Sequence, residues 1–221
     1  MLVGLLGDPL TGSLSPRMQN AAFAECGLDW SYALAPVRQG HVEEALAGLV
    51  ELRFAGANVT TPHKRTVAAF LETDLPSVNT LIVRDGRIEG HSTDAAILGG
   101  LPAERPAIIG DGGAAAAFRQ AMPHATVFSR RGTWPPDVRE ADLVVNATSE
   151  RNDVLVEVGA GRTLIDLPYP ETATARAAAA AGAQVIDGLD VLVAQGAASF
   201  ELWTGQPAPV DVMRGAVRSR A

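Results

Sequence analysis

An ammonium and a carboxylate that one small-molecule site could bring together stand at Lys64, in Asn58-Val59-Thr60-Thr61-Pro62-His63-Lys64, and at Asp94, in Thr93-Asp94. When a ketone accepts hydride, negative charge grows on its oxygen. An ammonium at hydrogen-bonding distance stabilises that charge and can deliver the proton. Which of the two groups takes the proton during alcohol oxidation is open at this level, so only the pair is assigned. A random Lys and Asp in a soluble protein would form at most an exposed ion pair of little weight. The polar motif around Lys64 argues against that reading here.

A second constellation suits a nucleotide. Gly110-Asp111-Gly112-Gly113-Ala114-Ala115 follows the apolar run Ala107-Ile108-Ile109 and opens a helical pattern. Bare backbone N–H groups and a helix N-terminus can meet a diphosphate there, where a Cβ would obstruct it. The same loop could be a purely structural strand-to-helix turn, and the next strand decides. About 20 residues beyond the first glycine, where NAD-binding folds place an acid on the ribose, stand Ser129-Arg130-Arg131. Two guanidiniums suit a 2′-phosphate, so the expected cofactor is NADP. Asp111 would repel a diphosphate unless its side chain turns outward. Polar chemistry first and a phosphate cradle second suggest a substrate domain followed by a nucleotide domain.

The elements that must position these groups alternate. Short apolar runs at 2–6, 32–36 and 54–59 read as strands and flank helical patterns over 16–25 and 43–49, which predicts a mostly parallel sheet. Ser15 before Pro16 reads as an N-cap with proline at the first helical position, and Thr61-Pro62 repeats that device before Lys64. Both polar motifs thus lie where loops enter helices, at the carboxyl ends of strands, where open α/β sheets collect ligands. Residues 78–83, Asp85-Gly86 and 87–89 read as a hairpin. The stretch after Asp94 reads as helical, and Pro102 and Pro106 bracket a break. Strands at 107–109, 126–128, 143–145 and 163–165, with a helix over 173–181, have the spacing of a Rossmann half. The expected fold is α/β: a substrate-binding and catalytic domain over 1–100, a Rossmann-type NADP-binding domain over 101–188, and a C-terminal helix over 189–221 packing back onto the first domain.

Composition excludes other classes. With 221 residues, 47% of them hydrophobic, the chain is too apolar for a disordered protein. A net charge of -7 without a Lys/Arg stripe argues against a nucleic-acid partner. The single Cys26 suits a reducing cytoplasm, and no stretch is long and apolar enough to suggest a membrane partner. His41, His63, His91 and His124 form no catalytic or zinc-binding constellation and are expected to be mostly solvated. A monomer or a homodimer is equally compatible with the sequence.

The chain resembles the shikimate dehydrogenase family, with its quinate-dehydrogenase relatives, nearly end to end. The resemblance is carried by Ser13-Leu14-Ser15-Pro16, the segment from Asn58 to Lys64, Val78-Asn79-Thr80, Thr93-Asp94, the glycine loop, Ser129-Arg130, Asn146-Ala147-Thr148-Ser149 and the stretch from Gln195 to Gly205. It implies that Ser13 and Ser15 bind a substrate carboxylate, that Thr60, Asn79, Asp94 and Gln195 hold ring hydroxyls, and that Lys64 and Asp94 are the catalytic pair. Asn58, Tyr169 and Thr148 would lie nearby, with Tyr169 counted as a substrate contact. Gly110, Gly112, Gly113, Ala114, Ser129, Arg130, Arg131 and Thr148 would bind NADP. The implied reaction is the reversible NADPH-dependent reduction of 3-dehydroshikimate to shikimate, in the pathway to the aromatic amino acids, with the two domains facing each other across a shared crevice.

The chain is short for that family, and some positions depart from its pattern. Gln19 stands for a common His, Ser92 for Asn, Ile97 for Gly and Ser129 for Asn, while Glu150-Arg151-Asn152-Asp153 replaces a stretch with a glycine near the cofactor. A quinate or aminoshikimate dehydrogenase, or a non-catalytic module that binds NADPH or a shikimate-like acid, are the alternatives.

Overall fold

A computed structural model describes residues 1–219 of the chain. They divide into two compact units, Met1–Asp94 with the segment from Leu192 onward, and Ala95–Val191.

The first unit is built on β1 (Leu2–Gly7), α1 (Ser15–Glu25), β2 (Ser31–Pro36), α2 (Val42–Glu51), β3 (Gly56–Val59), α3 (Lys64–Phe70), β4 (Thr80–Arg84) and β5 (Arg87–His91). The sheet order is β2-β1-β3-β4-β5. β1 lies parallel to both neighbours, and the β4–β5 hairpin extends β3 antiparallel. The hairpin turns at Asp85 and Gly86, both at positive φ, as an Asp-Gly tight turn requires. Val42, Leu46 and Leu49, spaced for one helical face, bury α2 against Val59, Val67 and Leu81.

Two expected helix starts are displaced. Ser15 is the first residue of α1 rather than its cap: Leu14 holds the cap position without a side-chain cap, and the Ser13 hydroxyl accepts the Ser15 N–H at 3.4 Å in the turn before it. Pro62 does not open α3. His63 N–H donates to the Thr60 carbonyl at 2.9 Å, so this turn consumes the proline and the helix starts two residues later, at Lys64.

The second unit holds β6 (Pro106–Ile109), α4 (Gly113–Ala121), β7 (Thr126–Phe128), β8 (Leu143–Asn146), β9 (Thr163–Asp166), α5 (Ala173–Ala180) and β10 (Gln184–Ile186), ordered β10-β9-β8-β6-β7 and parallel throughout. Its strands read as continuous apolar runs because both faces are covered. Pro106 opens β6 instead of marking a break, a place where a missing N–H is tolerated. The helix expected after Asp94 shrinks to one 3-10 turn, Ala96–Leu98, stopped by Gly99 and by Gly100 at positive φ. β10, three residues long, was too short to show a period. Residues 129–142, between β7 and β8, contain no helix or strand.

The chain then continues through α6 (Gly188–Thr204) to α7 (Val210–Arg218), two helices where one was expected, parted at Gly205 and two prolines, Pro207 and Pro209. Among the described residues no helix is long and apolar enough to cross a membrane.

Candidate active site

In the first sheet the chain leaves β1 through α1 to one side and, after α2, returns on the other side of β1 as β3. The order therefore reverses between β1 and β3, and the loops at their carboxyl ends diverge around the kind of crevice where open α/β sheets bind ligands. Ser13 and Ser15 lie on the loop and first turn after β1, while Thr60 and Lys64 lie on those after β3. The two loops are tied together by Thr60 N–H to Leu6 carbonyl at 2.8 Å and Asp8 N–H to Thr61 carbonyl at 3.1 Å.

Lys64 Nζ donates to both carboxylate oxygens of Asp94, each at 2.6 Å, and both side chains are mostly buried. Asp94 comes from the segment after β5, and Asn79, just before β4, reaches it. Asn79 Nδ2 lies 2.9 Å from Asp94 Oδ1, 2.9 Å from Thr93 Oγ1 and 3.3 Å from Gln195 Oε1. Asn79 Oδ1 accepts the Thr93 N–H at 2.7 Å. The amide thus works as a bracket that sets the Asp94 carboxylate against Lys64.

Behind the bracket lies a buried polar layer that motif reading did not foresee. Asn58 and Thr80 are direct cross-strand partners, and Asn58 Nδ2 lies within reach of Thr80 Oγ1 and Ser199 Oγ, at 3.1 and 3.0 Å. Thr80, Thr93 and Ser199 place three hydroxyls within 2.8–3.3 Å of one another. Tyr32 donates its hydroxyl to Asn58 Oδ1 at 2.9 Å. On α6, Gln195, Ser199 and Trp203 share one face at four-residue spacing, and Trp203 Nε1 donates to the Leu81 carbonyl at 2.9 Å. Gly56 makes that approach possible, since a Cβ there would sit 2.5 Å from the indole nitrogen. The signal that could have found this layer was present: polar Asn58, Thr80 and Ser199 interrupt otherwise apolar elements.

The second sheet repeats the reversal, with β7 on one side of β6 and β8 on the other. The glycine loop follows β6 and Asn146-Ala147-Thr148 follows β8, so both flank the switch point. The loop's glycines do different jobs. Gly110, at φ 131°, allows close packing, because a Cβ would lie 2.8 Å from the Ala147 carbonyl oxygen; a Cβ on Gly112 would meet nothing. α4 begins at Gly113 and Ala114 with no side chain capping it. The bare approach at Gly112 and the start of a nine-residue helix fit a diphosphate. Asp111 pairs with Arg131 at 3.5 Å.

Ser129, Arg130 and Arg131 form the tight turn after β7, closed by Ser129 N–H to Thr133 carbonyl at 3.1 Å and Gly132 N–H to Ser129 carbonyl at 3.0 Å. Thr148 donates its hydroxyl to Asn146 Oδ1 at 2.8 Å. Asn146 in turn donates to the buried Asp166 at 2.7 Å, and Thr172 donates to the other Asp166 oxygen at 2.8 Å. Burial pushes the Asp166 carboxyl up, against the pull of these two donors. Glu150, in the stretch that replaces one with a glycine in the family pattern, accepts the N–H groups of Asn152, Asp153 and Arg151, which hold its carboxyl below the usual range.

Tyr169 belongs to the second unit, in the loop after β9. Of the histidines, His63 overturns the expectation of a solvated ring: it is buried, with Nε2 2.6 Å from the Val37 carbonyl oxygen, and serves as a tie between loops.

The chain matches two family models, the shikimate dehydrogenase substrate binding domain over residues 5–80 and the shikimate 5'-dehydrogenase C-terminal domain over residues 188–218. It is 36% identical over 265 aligned positions to a shikimate dehydrogenase (NADP(+)) of Anaeromyxobacter sp. (strain Fw109-5), covering 98% of this chain and 95% of the relative. It is 37% identical to the enzyme of that name from Moorella thermoacetica, covering 98% of this chain and 92% of the relative. Among solved structures it is similar to the shikimate 5-dehydrogenase of Thermus thermophilus in complex with NADP(H) and shikimate, at a TM-score of 0.84 and 29% identity, covering 99% of this chain and 98% of that one. An alignment longer than the 221 residues of this chain means that the relative carries segments this chain lacks. Motifs, sheet orders and full-length similarity agree, and the chain belongs to the shikimate dehydrogenase family.

Proposed function

We propose that this chain catalyses the reversible NADPH-dependent reduction of 3-dehydroshikimate to shikimate, with Lys64 and Asp94 as its acid/base pair. The observation that carries the reading is the Lys64 ammonium held against both oxygens of Asp94, with Asn79 fixing the carboxylate from behind. An ammonium set in place before substrate arrives needs little reorganisation as charge grows on the reacting oxygen. NADPH, when bound, supplies the hydride. Lys64 donates a proton to the oxygen that the hydride leaves negative, so one hydride and one proton convert ketone to alcohol, and the amine is reprotonated from water. In the reverse direction the pair takes that proton back.

Ser13 and Ser15 are assigned to the substrate carboxylate, with the start of α1 behind them; Thr60, Asn79, Asp94 and Gln195 to the ring hydroxyls; Tyr169 to a further substrate contact. On the cofactor side, Gly110 shapes the loop, Gly112, Gly113 and Ala114 offer the diphosphate cradle, Ser129 and Arg130 meet the 2′-phosphate with Arg131, paired to Asp111, beside them, and Thr148 lies at the nicotinamide end. The pair of serines favours shikimate over quinate. A cytoplasmic enzyme, monomeric or homodimeric, is the setting consistent with one unpaired cysteine.

The test follows reduced-nicotinamide absorbance with 3-dehydroshikimate for wild type and Lys64→Ala. The variant should lose about 100- to 1000-fold in kcat while retaining shikimate binding, measured by thermal-shift protection. Equal rates would exclude the role of Lys64. Wild-type binding without turnover would favour a ligand-binding module.

A further inference from the structure

Residues 129–142 replace with an irregular connection what would ordinarily be a helix between two parallel strands, yet they are firmly anchored. Val138 is buried, and Arg162 donates its guanidinium N–H groups to the Val138 and Ala141 carbonyls at 2.6 and 2.8 Å. At the front of this connection the Ser129–Thr133 turn presents Arg130 and Arg131 at its two central positions. The next residue after that turn is Trp134, 38% exposed and outside every apolar cluster, followed by Pro135 and Pro136, which stiffen its backbone. An exposed tryptophan packs no core here. Its contact is with Arg130, whose guanidinium carbon lies 5.5 Å from the indole centroid.

The two arginines are therefore held differently. Arg131 pairs with Asp111 of the glycine loop, so its charge is already partly spent there. Arg130 rests against an aromatic face, which restricts the guanidinium plane without consuming its N–H donors. A freely rotating surface arginine would lose side-chain entropy on meeting a phosphate; one supported by a ring loses less.

We infer that Trp134 is a positioning residue for cofactor selectivity: it holds the Arg130 fork in the orientation that grips the 2′-phosphate, and thereby sets the preference for NADPH over NADH. The inference rests on the NADP reading above and adds to it a residue on the irregular connection between β7 and β8. Trp134 acts through Arg130 alone, so its contribution vanishes when Arg130 is absent.

Steady-state KM values for NADPH and NADH, measured on wild type, Trp134→Ala, Trp134→Phe, Arg130→Ala and the Trp134→Ala/Arg130→Ala double variant, test this. Trp134→Ala should raise the NADPH KM about two- to fivefold, the size of an exposed cation–π contact, and leave NADH unchanged. Trp134→Phe should keep most of the wild-type preference, and the double variant should match Arg130→Ala. Equal shifts for both cofactors, or a tryptophan effect that persists without Arg130, would overturn the inference. Calorimetric binding of 2′-AMP against 5′-AMP needs no turnover and keeps the two readings separable: a dead enzyme whose Trp134→Ala variant loses affinity for 2′-AMP alone supports the role of Trp134, and equal loss for both nucleotides sinks it.

Discussion

The two candidate sites stand at equivalent places, the switch points of two sheets, but are built from opposite materials. Around Lys64 the polar groups are buried and share partners: Asn79 Nδ2 has two protons and three acceptors within reach, and Asn58, Thr80, Thr93 and Ser199 close the layer beneath. Around Arg130 the groups are exposed, with Arg131 paired to Asp111, Arg130 set against Trp134, and Arg130 near enough to Glu150 to help lower its carboxyl. Removing one member of a buried network strands its partners away from water, at a cost of about 1–3 kcal/mol for each unmet group. Removing an exposed group strands nothing, because water replaces it. The substrate site should therefore fail abruptly under mutation and the nucleotide site by small, separable steps.

Asn79→Ala should break the buried network of the first site. It leaves the buried Thr93 N–H without an acceptor and frees the Asp94 carboxylate to rotate away from the substrate. We expect kcat to fall by about 100-fold and stability to drop by about 2–3 kcal/mol, read by steady-state kinetics and urea unfolding. A variant that loses stability but keeps kcat would show that Lys64 alone orients Asp94.

Arg130→Ala is the corresponding change at the second site and should be gentler. Its expected outcome is an NADPH KM raised about tenfold with NADH within about twofold, the loss of one charge-assisted phosphate contact, and no change in melting temperature. Parallel loss for both cofactors would move the 2′-phosphate elsewhere.

The same contrast explains how much could be read before any coordinates. Lys64, Asp94 and Asn79 were legible as neighbours because each sits in a short polar motif, and the glycine loop was legible as a strand-to-helix turn. The strands of the second unit were legible because burial on both faces writes them as apolar runs. Ser199, Thr80 and Tyr32 were not legible as one layer. They come from separate elements, and only the pairing of Asn58 with Thr80 and the docking of one α6 face join them. The start of α3 was misplaced because a proline at the first helical position and a proline inside a preceding tight turn look alike in sequence. Trp134 carried no signal, since an exposed aromatic in a loop has no period to betray its partner.

Arg131→Ala sharpens the comparison within the nucleotide site. Losing this arginine removes the cation paired with Asp111 in the glycine loop, and the carboxylate's weaker screening there repels NADPH and NADH alike. Both KM values should therefore rise together, by about two- to threefold, and more at low salt than at high salt. A rise confined to NADPH would instead make Arg131 a direct 2′-phosphate ligand equal to Arg130.

One buried carboxylate lies within the second unit and tests whether the contrast follows burial or location. Asp166 accepts from Asn146 and Thr172 beneath the Thr148 loop, and its burial raises the carboxyl above its usual value. A carboxyl with a raised folded pKa favours folding while protonated: its contribution is fully present below the unfolded value of about 3.9 and is lost as pH climbs through the folded value. Asp166→Asn removes the titration while keeping an acceptor for Asn146, and the Thr172 hydroxyl can turn to face the new amide. The melting temperature of the variant minus that of wild type should become more positive as pH rises above about 4, while the NADPH KM stays near wild type. Because other carboxylates titrate identically in both proteins, a pH-independent difference would mean that Asp166 is ionised throughout, its donors from Asn146 and Thr172 outweighing its burial.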